Sequence, residues 1–192
     1  MRRRRTPVAG LTHEGWFRTL VPPVLVVGNG VLPCAIPEDD YQSIVRINNY
    51  RLGGNSGEKV THWAASGYIN IEARPVSPVL IPWSKDYQRR SNRYDLQFGS
   101  RIGTETVHLR DNNHILRWWP KANIRWKYFP SVGFCLLSWL SIRRLYVDII
   151  GFDGMTTGHE GDPSHKHDHE KTKVAEWVII QREFIRKNLG ER

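Results

Sequence analysis

Short apolar stretches alternate with polar segments in the first part of the chain. The β-branched run 22–28 (PPVLVVG) predicts a buried strand that ends in a turn at Gly28-Asn29-Gly30. Two further stretches, 43–49 (SIVRINN) and 59–66 (KVTHWAAS), also predict strands. A later apolar run within 67–82 contains prolines, which favour an edge strand or a loop.

The second part of the chain predicts helices and one more strand. Residues 129–133 (FPSVG) are typical of a helix start, and the run after them is apolar nearly all round, so this helix should be buried. Residues 146–154 predict a strand, and roughly 168–189 predict a final helix. Alternating strands and helices indicate the α/β class, as a single-domain, Rossmann-like α/β/α sandwich with a mostly parallel sheet. We assign 1–20 to a basic N-terminal tail and 21–192 to the domain.

Composition narrows the class of protein. The chain has 192 residues, and its 28 Lys and Arg exceed its 19 Asp and Glu, for a net charge of +9 at pH 7. This excess indicates an anionic partner. Arg2–Arg5 predict a solvated tail, or a contact with an acidic membrane surface or another polyanion. No apolar run approaches the ~20 residues of a membrane span. Cys34 and Cys135 form no metal or disulfide motif, and we expect both to be small buried hydrophobes in a cytoplasmic protein.

Two glycine-containing turns could bind a ligand. Gly28-Asn29-Gly30 places backbone N–H groups and one amide at the carboxyl edge of a sheet, where α/β proteins bind ligands. The helix start at Ser131 and Gly133 offers free N–H groups at the positive end of a helix, which suits a phosphate or a carboxylate. An ordinary tight turn and an ordinary helix start remain the alternatives.

The histidine-rich segment 159–170 (HEGDPSHKHDHE) is open to two interpretations, a metal site and a histidine general base. His165 and His169 are one helical turn apart, whereas three alternating histidines would need an extended strand to converge on one ion. The HExxH motif is absent. Glu170 could orient His165 or cap the final helix.

The first of these segments resembles the large sialylmotif of the animal-type sialyltransferases. That motif contains VVGNSG, then (V/I)IRxN, then an ending of the form Gly-x-(Lys/Arg)-Thr-Thr. The corresponding segments here are VVGNG at 26–30, IVRIN at 44–48 and GEKVT at 57–61. The three parts occur in the same order as in the family.

The other two segments resemble the small and very short sialylmotifs. The small motif is YPSTG, an apolar helix and a strand that ends in YGF, and here FPSVG at 129–133 precedes such a helix and IGF at 150–152. The very short motif is His-x4-Glu, which is the spacing of His165 and Glu170. The three motifs follow one another in the order of the family.

The resemblance implies a GT-A-variant glycosyltransferase-like fold. It implies transfer of sialic acid or Kdo from a CMP-activated donor to a glycan acceptor, such as a capsule or lipopolysaccharide, with inversion, without a metal or other cofactor and without nucleic acid. His165 would be the general base, with Glu170 as its catalytic partner. The residues implied in donor binding are Gly28, Asn29, Gly30, Asn48, Ser131, Val132, Gly133 and His159.

The sequence departs from the animal family in two ways. Animal members carry a membrane anchor and a disulfide between the large and small motifs, and here Val24-Leu25 and Arg143-Arg144 stand at the positions of that disulfide. We therefore expect a short bacterial relative in the cytoplasm or at the inner-membrane surface. Two other functions stay open: a non-catalytic nucleotide- or nucleic-acid-binding protein that uses the basic and aromatic segment 85–127, and a metal-dependent hydrolase that uses the histidines.

Overall fold

The computed structural model describes residues 12–65, 76, 79–81, 106–108 and 132–152. The helices in this part of the chain are α1, His13–Arg18, and α2, Val132–Ile142, and two short 3-10 turns occupy Glu38–Asp40 and Gly54–Ser56. The strands are β1 Val24–Val27, β2 Ser43–Ile47, β3 His62–Ala64, β4 Val79–Ile81, β5 Thr106–His108 and β6 Val147–Ile150.

These strands form one sheet in the order β5-β4-β3-β2-β1-β6, and every neighbouring pair is parallel. The predicted α/β class with a parallel sheet is therefore confirmed. β1 lies inside the sheet because β2 pairs with one of its edges and β6 with the other. Strands β2 to β5 therefore lie on one side of β1 and β6 lies on the other, so the strand order reverses at β1.

Side chains alternate between the two faces of the sheet, as the period of a strand requires. Val24 and Val26 of β1 join the core that holds Trp16 of α1 and Leu136 of α2. Both described helices therefore cover the same face. The opposite face is covered by the connection from β1 to β2, in a cluster that contains Leu25, Val27, Leu32, Ile36 and Ile44.

In the described part of the chain, no helix combines the length and the apolar character needed to cross a membrane.

Five sequence predictions are confirmed, with shorter bounds for the strands. The strands expected at 22–28, 43–49, 59–66 and 146–154 are β1, β2, β3 and β6. The helix expected after 129–133 is α2, and its residues from Gly133 to Leu140 are buried. Continuous burial along β1 and β2 agrees with their apolar sequences, because a parallel strand is covered on both faces.

Other expectations need correction. The apolar run within 67–82 contributes β4, which pairs with β3 and β5 and is neither an edge strand nor a loop. Strand β5 was not expected at all. Cys135 is buried as predicted, but Cys34 is exposed. The expected final helix at 168–189 lies outside the described residues.

Helix α1 lies within the segment that the sequence assigned to the tail. The Thr12 hydroxyl oxygen accepts a hydrogen bond from the Gly15 N–H at 3.1 Å, which caps the first turn. Trp16 and Phe17 are buried in the main core. The folded unit therefore begins before the boundary at residue 21. Arg2–Arg5 lie outside the described residues.

Candidate functional site

Three adjacent strands end at one edge of the sheet, and two of them are followed by residues of the predicted site. Asn29 lies two residues beyond β1, Asn48 directly follows β2, and Gly151 and Phe152 follow β6. Because the strands are parallel, their carboxyl ends lie side by side, about 5 Å from one strand to the next. The strand order reverses at β1, which is the kind of position where open parallel sheets bind ligands.

The loops that follow β1 and β6 are in direct contact. The Gly28 N–H donates to the Ile150 carbonyl at 2.8 Å, and the Gly30 N–H donates to the Gly151 carbonyl at 2.9 Å. A Cβ on Gly28 would lie 2.2 Å from the Gly151 oxygen, so any larger residue would displace one backbone from the other. Glycine at position 28 thus allows the turn at 28–30 to rest on the end of β6.

Helix α2 begins at the same edge. A Cβ on Gly133 would lie 2.6 Å from Cε1 of Phe152 and 3.2 Å from Cδ1 of Ile47, so the first turn of α2 packs on the ends of β2 and β6. The first N–H groups of a helix have no partner within the helix, and the helix dipole is positive there. No acidic residue occupies the first turn of α2. This helix start therefore favours an anionic group.

Asn48 is held in a left-handed conformation by the neighbouring strand. Its φ is 53°, which asparagine tolerates better than most residues. The Asn48 N–H donates to the Ala64 carbonyl at 2.9 Å, and the Asn48 carbonyl accepts a hydrogen bond from the Trp63 indole Nε1 at 2.8 Å. Both backbone groups of Asn48 are thus fixed by residues of β3. Asn48 itself is half-buried.

Arg46 of β2 is a buried structural residue. Its Nε donates to the Lys59 carbonyl at 3.0 Å, and its guanidinium pairs with Glu38 at 3.3 Å and also donates to the Ser56 carbonyl. Burial lowers the pKa of Arg46, while the Glu38 carboxylate opposes that shift. The described contacts of Arg46 thus stabilise the connection between β2 and β3.

Glu38 completes this network. Its carboxylate accepts hydrogen bonds from the backbone N–H groups of Glu58 at 3.0 Å and Lys59 at 2.6 Å. The Lys59 ammonium donates to the carbonyls of Glu38 and Tyr41. Gly57 has a φ of 68°, and a Cβ there would lie 2.3 Å from the Glu38 carboxyl carbon. Residues 57–59 and Glu38 therefore hold together the connections before and after β2.

Sequence reasoning missed both Glu38 and Trp63. Neither residue belongs to a recognisable spacing: Glu38 lies in a polar turn, and Trp63 is one of eight tryptophans. The sequence offered only two weak signals: an acidic residue in a polar turn, which is Glu38, and a tryptophan within a predicted strand, which is Trp63. Their roles depend on contacts between separate elements, which no local pattern contains.

The predicted site divides into two groups. The structure places Gly28, Asn29, Gly30, Asn48, Val132 and Gly133 at one edge of the sheet. Ser131, His159, His165 and Glu170 lie outside the described residues. Within the described ranges, no group of three or more His, Cys, Asp or Glu side chains could hold a metal ion. No protein-family model, curated protein or solved structure matches this chain.

Proposed function

We propose that this protein is a glycosyltransferase that moves sialic acid or Kdo from a CMP-activated donor to a glycan acceptor with inversion. The observation that carries the proposal is the meeting of Gly28, Asn48 and Gly133 at one sheet edge. These residues belong to motifs that lie far apart in the sequence. Their place at the edge where parallel sheets bind ligands supports the proposal.

The finer fold class belongs to the same proposal. A single-domain Rossmann-like sandwich of the GT-A-variant type requires a parallel sheet whose strand order reverses inside the sheet. The order β5-β4-β3-β2-β1-β6 supports it. The described helices α1 and α2 supply one of the two helical layers that this class requires.

The described part of the site suits an anionic nucleotide. A CMP-activated 2-keto acid carries a phosphodiester and a sugar carboxylate, and the start of α2 would attract either group. The amides of Asn29 and Asn48 both donate and accept hydrogen bonds, which suits ribose hydroxyls and phosphate oxygens. The net charge of +9 favours the approach of such a donor.

In this proposal, His165 performs the proton transfer. It takes the proton of the acceptor hydroxyl as the hydroxyl oxygen forms a bond to the anomeric carbon of the donor sugar. The bond from that carbon to the CMP phosphate oxygen breaks, and the phosphate keeps the electron pair. Glu170 orients His165. A single displacement of this kind inverts the anomeric centre, and positioning of the two substrates supplies much of the rate.

Calorimetric titration with CMP and measurement of CMP release from CMP-Neu5Ac and CMP-Kdo test the proposal. Replacing Asn48 by Gly permits the left-handed backbone and removes the amide side chain, so CMP should bind about tenfold more weakly. Asn49→Gly is the matched control, since Asn49 is the exposed neighbour, and it should stay within about twofold of the native affinity. His165→Ala should bind CMP normally and lose at least about 100-fold in transfer.

Three results would contradict the proposal. The first is a native chain that does not bind CMP. The second is tight binding of oligonucleotides with a steep salt dependence, which would favour the nucleic-acid-binding alternative. The third is stoichiometric zinc together with a hydrolytic activity that chelators remove, which would favour the hydrolase.

A further inference from the structure

We propose that Trp63 is a positioning residue for nucleotide binding, which it supports by fixing the backbone of Asn48. This inference rests on the proposed function. Trp63 lies in β3 and is fully buried, and its indole Nε1 is 2.8 Å from the Asn48 carbonyl oxygen. Nothing in the large sialylmotif, as it appears in this sequence, assigns a role to this tryptophan.

The register of the sheet places the Trp63 side chain where it can reach the end of β2. Trp63 is the register partner of Arg46, so the two side chains leave the sheet on the same face. The indole extends towards the carboxyl edge and contacts the residue just beyond Ile47, where β2 ends. The Asn48 N–H remains paired with the Ala64 carbonyl, so the two hydrogen bonds fix Asn48 from both of its backbone groups.

The chemistry of the indole makes this contact selective for one peptide orientation. Indole N–H is a donor and never an acceptor. If the peptide between Asn48 and Asn49 flipped, its N–H would face the indole N–H, and the indole of the fully buried Trp63 would lose its acceptor. Such an unsatisfied donor is costly because water cannot replace the lost partner. Trp63 therefore fixes the orientation of the Asn48–Asn49 peptide, and together with the bond from the Asn48 N–H to Ala64 it holds the backbone from which the amide side chain projects.

Trp63 is itself held in place by Tyr50, which in turn contacts the buried Arg46. The Tyr50 ring packs edge-on against Trp63 with a centroid distance of 6.1 Å. The guanidinium carbon of Arg46 lies 5.9 Å from the centroid of the Tyr50 ring. Arg46 is anchored in turn by Glu38 and the Lys59 carbonyl. The order of contacts runs from Arg46 through Tyr50 and Trp63 to Asn48.

The experiment replaces the indole N–H without changing the shape of the side chain. β-(3-Benzothienyl)alanine at position 63 has sulfur in place of N–H and fills the same volume. The matched control carries the same analogue at Trp16, a second fully buried tryptophan that lies in α1 on the other face of the sheet. CMP affinity is measured by calorimetry at a temperature where denaturation curves show all variants to be folded. We expect CMP to bind about tenfold more weakly at position 63 and within about twofold of native at position 16.

A double-mutant cycle separates positioning from a general structural effect. If Trp63 acts through Asn48, the analogue at 63 should weaken CMP binding little further in the Asn48→Gly background. Additive losses would overturn the inference, and so would native CMP affinity for the position-63 variant. In both cases the native chain still binds CMP, so the proposed function survives. A native chain that does not bind CMP overturns both.

Discussion

Gly54 and Gly57 are two left-handed glycines in one loop, and the space around them differs. Their φ values are 55° and 68°, and a Cβ on Gly54 would meet nothing within 4 Å, whereas one on Gly57 would collide with the Glu38 carboxyl group. Gly54→Ala should lower the free energy of unfolding by about 1 kcal/mol, from backbone strain alone. Gly57→Ala should cost about 2 kcal/mol more, because its backbone, with φ 68° and ψ −174°, suits glycine almost alone and because the displaced carboxylate leaves backbone N–H groups unpaired. Urea denaturation measures both, and equal losses would contradict the packing of Gly57 against Glu38.

The two cysteines should differ sharply in reactivity. Cys34 is exposed, whereas Cys135 is buried in α2, where burial raises its pKa to about 12. The native chain should therefore react with a maleimide or a disulfide reagent at one thiol, and the second should react only after unfolding. Cys34→Ser should abolish the native reaction. Two reactive thiols in the native state, shown by mass spectrometry, would contradict this burial.

Arg143 contributes to the packing of helix α1 against helix α2. Its guanidinium carbon lies 4.2 Å from the centroid of the Phe17 ring and 4.4 Å from that of Trp139, and it pairs with Glu14. Arg143→Lys keeps the charge but loses the planar contact with both rings, so we expect a loss of about 1–2 kcal/mol in stability. Arg144→Lys is the matched control, because Arg144 is exposed, and it should change stability by less than about 0.5 kcal/mol. Indistinguishable melting curves for the two variants would contradict the role of Arg143.

Elements with a strong sequence pattern were predictable, and those stabilised by tertiary contacts were not. The continuous β-branched run of β1 and the apolar sequence of α2 each specify a buried element without further context. Helix α1 has six residues, too few to show a helical period, and buries Trp16 and Phe17 only because the sheet lies beside it. Strand β5 has three residues, and its pairing with β4 is the reason it forms a strand.

At the scale of the whole molecule, the sequence indicated candidate residues but not the contacts that position them. Gly28, Asn48 and Gly133 could be singled out because each follows or begins a recognisable element. Their convergence depends on strand order, since β1 pairs with β6 only in the folded sheet. The contacts of Glu38 and Trp63 depend in the same way on the register between β2 and β3. Neither strand order nor register is a local property of the chain.

Contact between helix α1 and the sheet should make the stability of the whole molecule depend on pH. His62 of β3 joins the two: its Nε2 is 3.0 Å from the Thr19 hydroxyl, its Nδ1 is 2.8 Å from the Thr61 hydroxyl, and its ring centroid lies 5.3 Å from that of Trp16. Burial lowers the pKa of His62 from 6.5 to about 4. Between these two values the unfolded chain binds a proton that the native chain does not.

The free energy of unfolding should therefore decrease as the pH falls from 6.5 towards 4, and this contribution should be constant above that window. We expect His62 to account for about 2 kcal/mol of the decrease, given its partial exposure to solvent. Carboxylates that titrate in the same window affect every variant alike, so the comparison with His62→Gln, which cannot titrate, isolates the histidine. His13→Gln removes a histidine from the start of α1 and serves as the control. Urea denaturation at a series of pH values should show a shallower dependence in His62→Gln only, and equal slopes in all three proteins would show that His62 does not link the stability of the fold to pH.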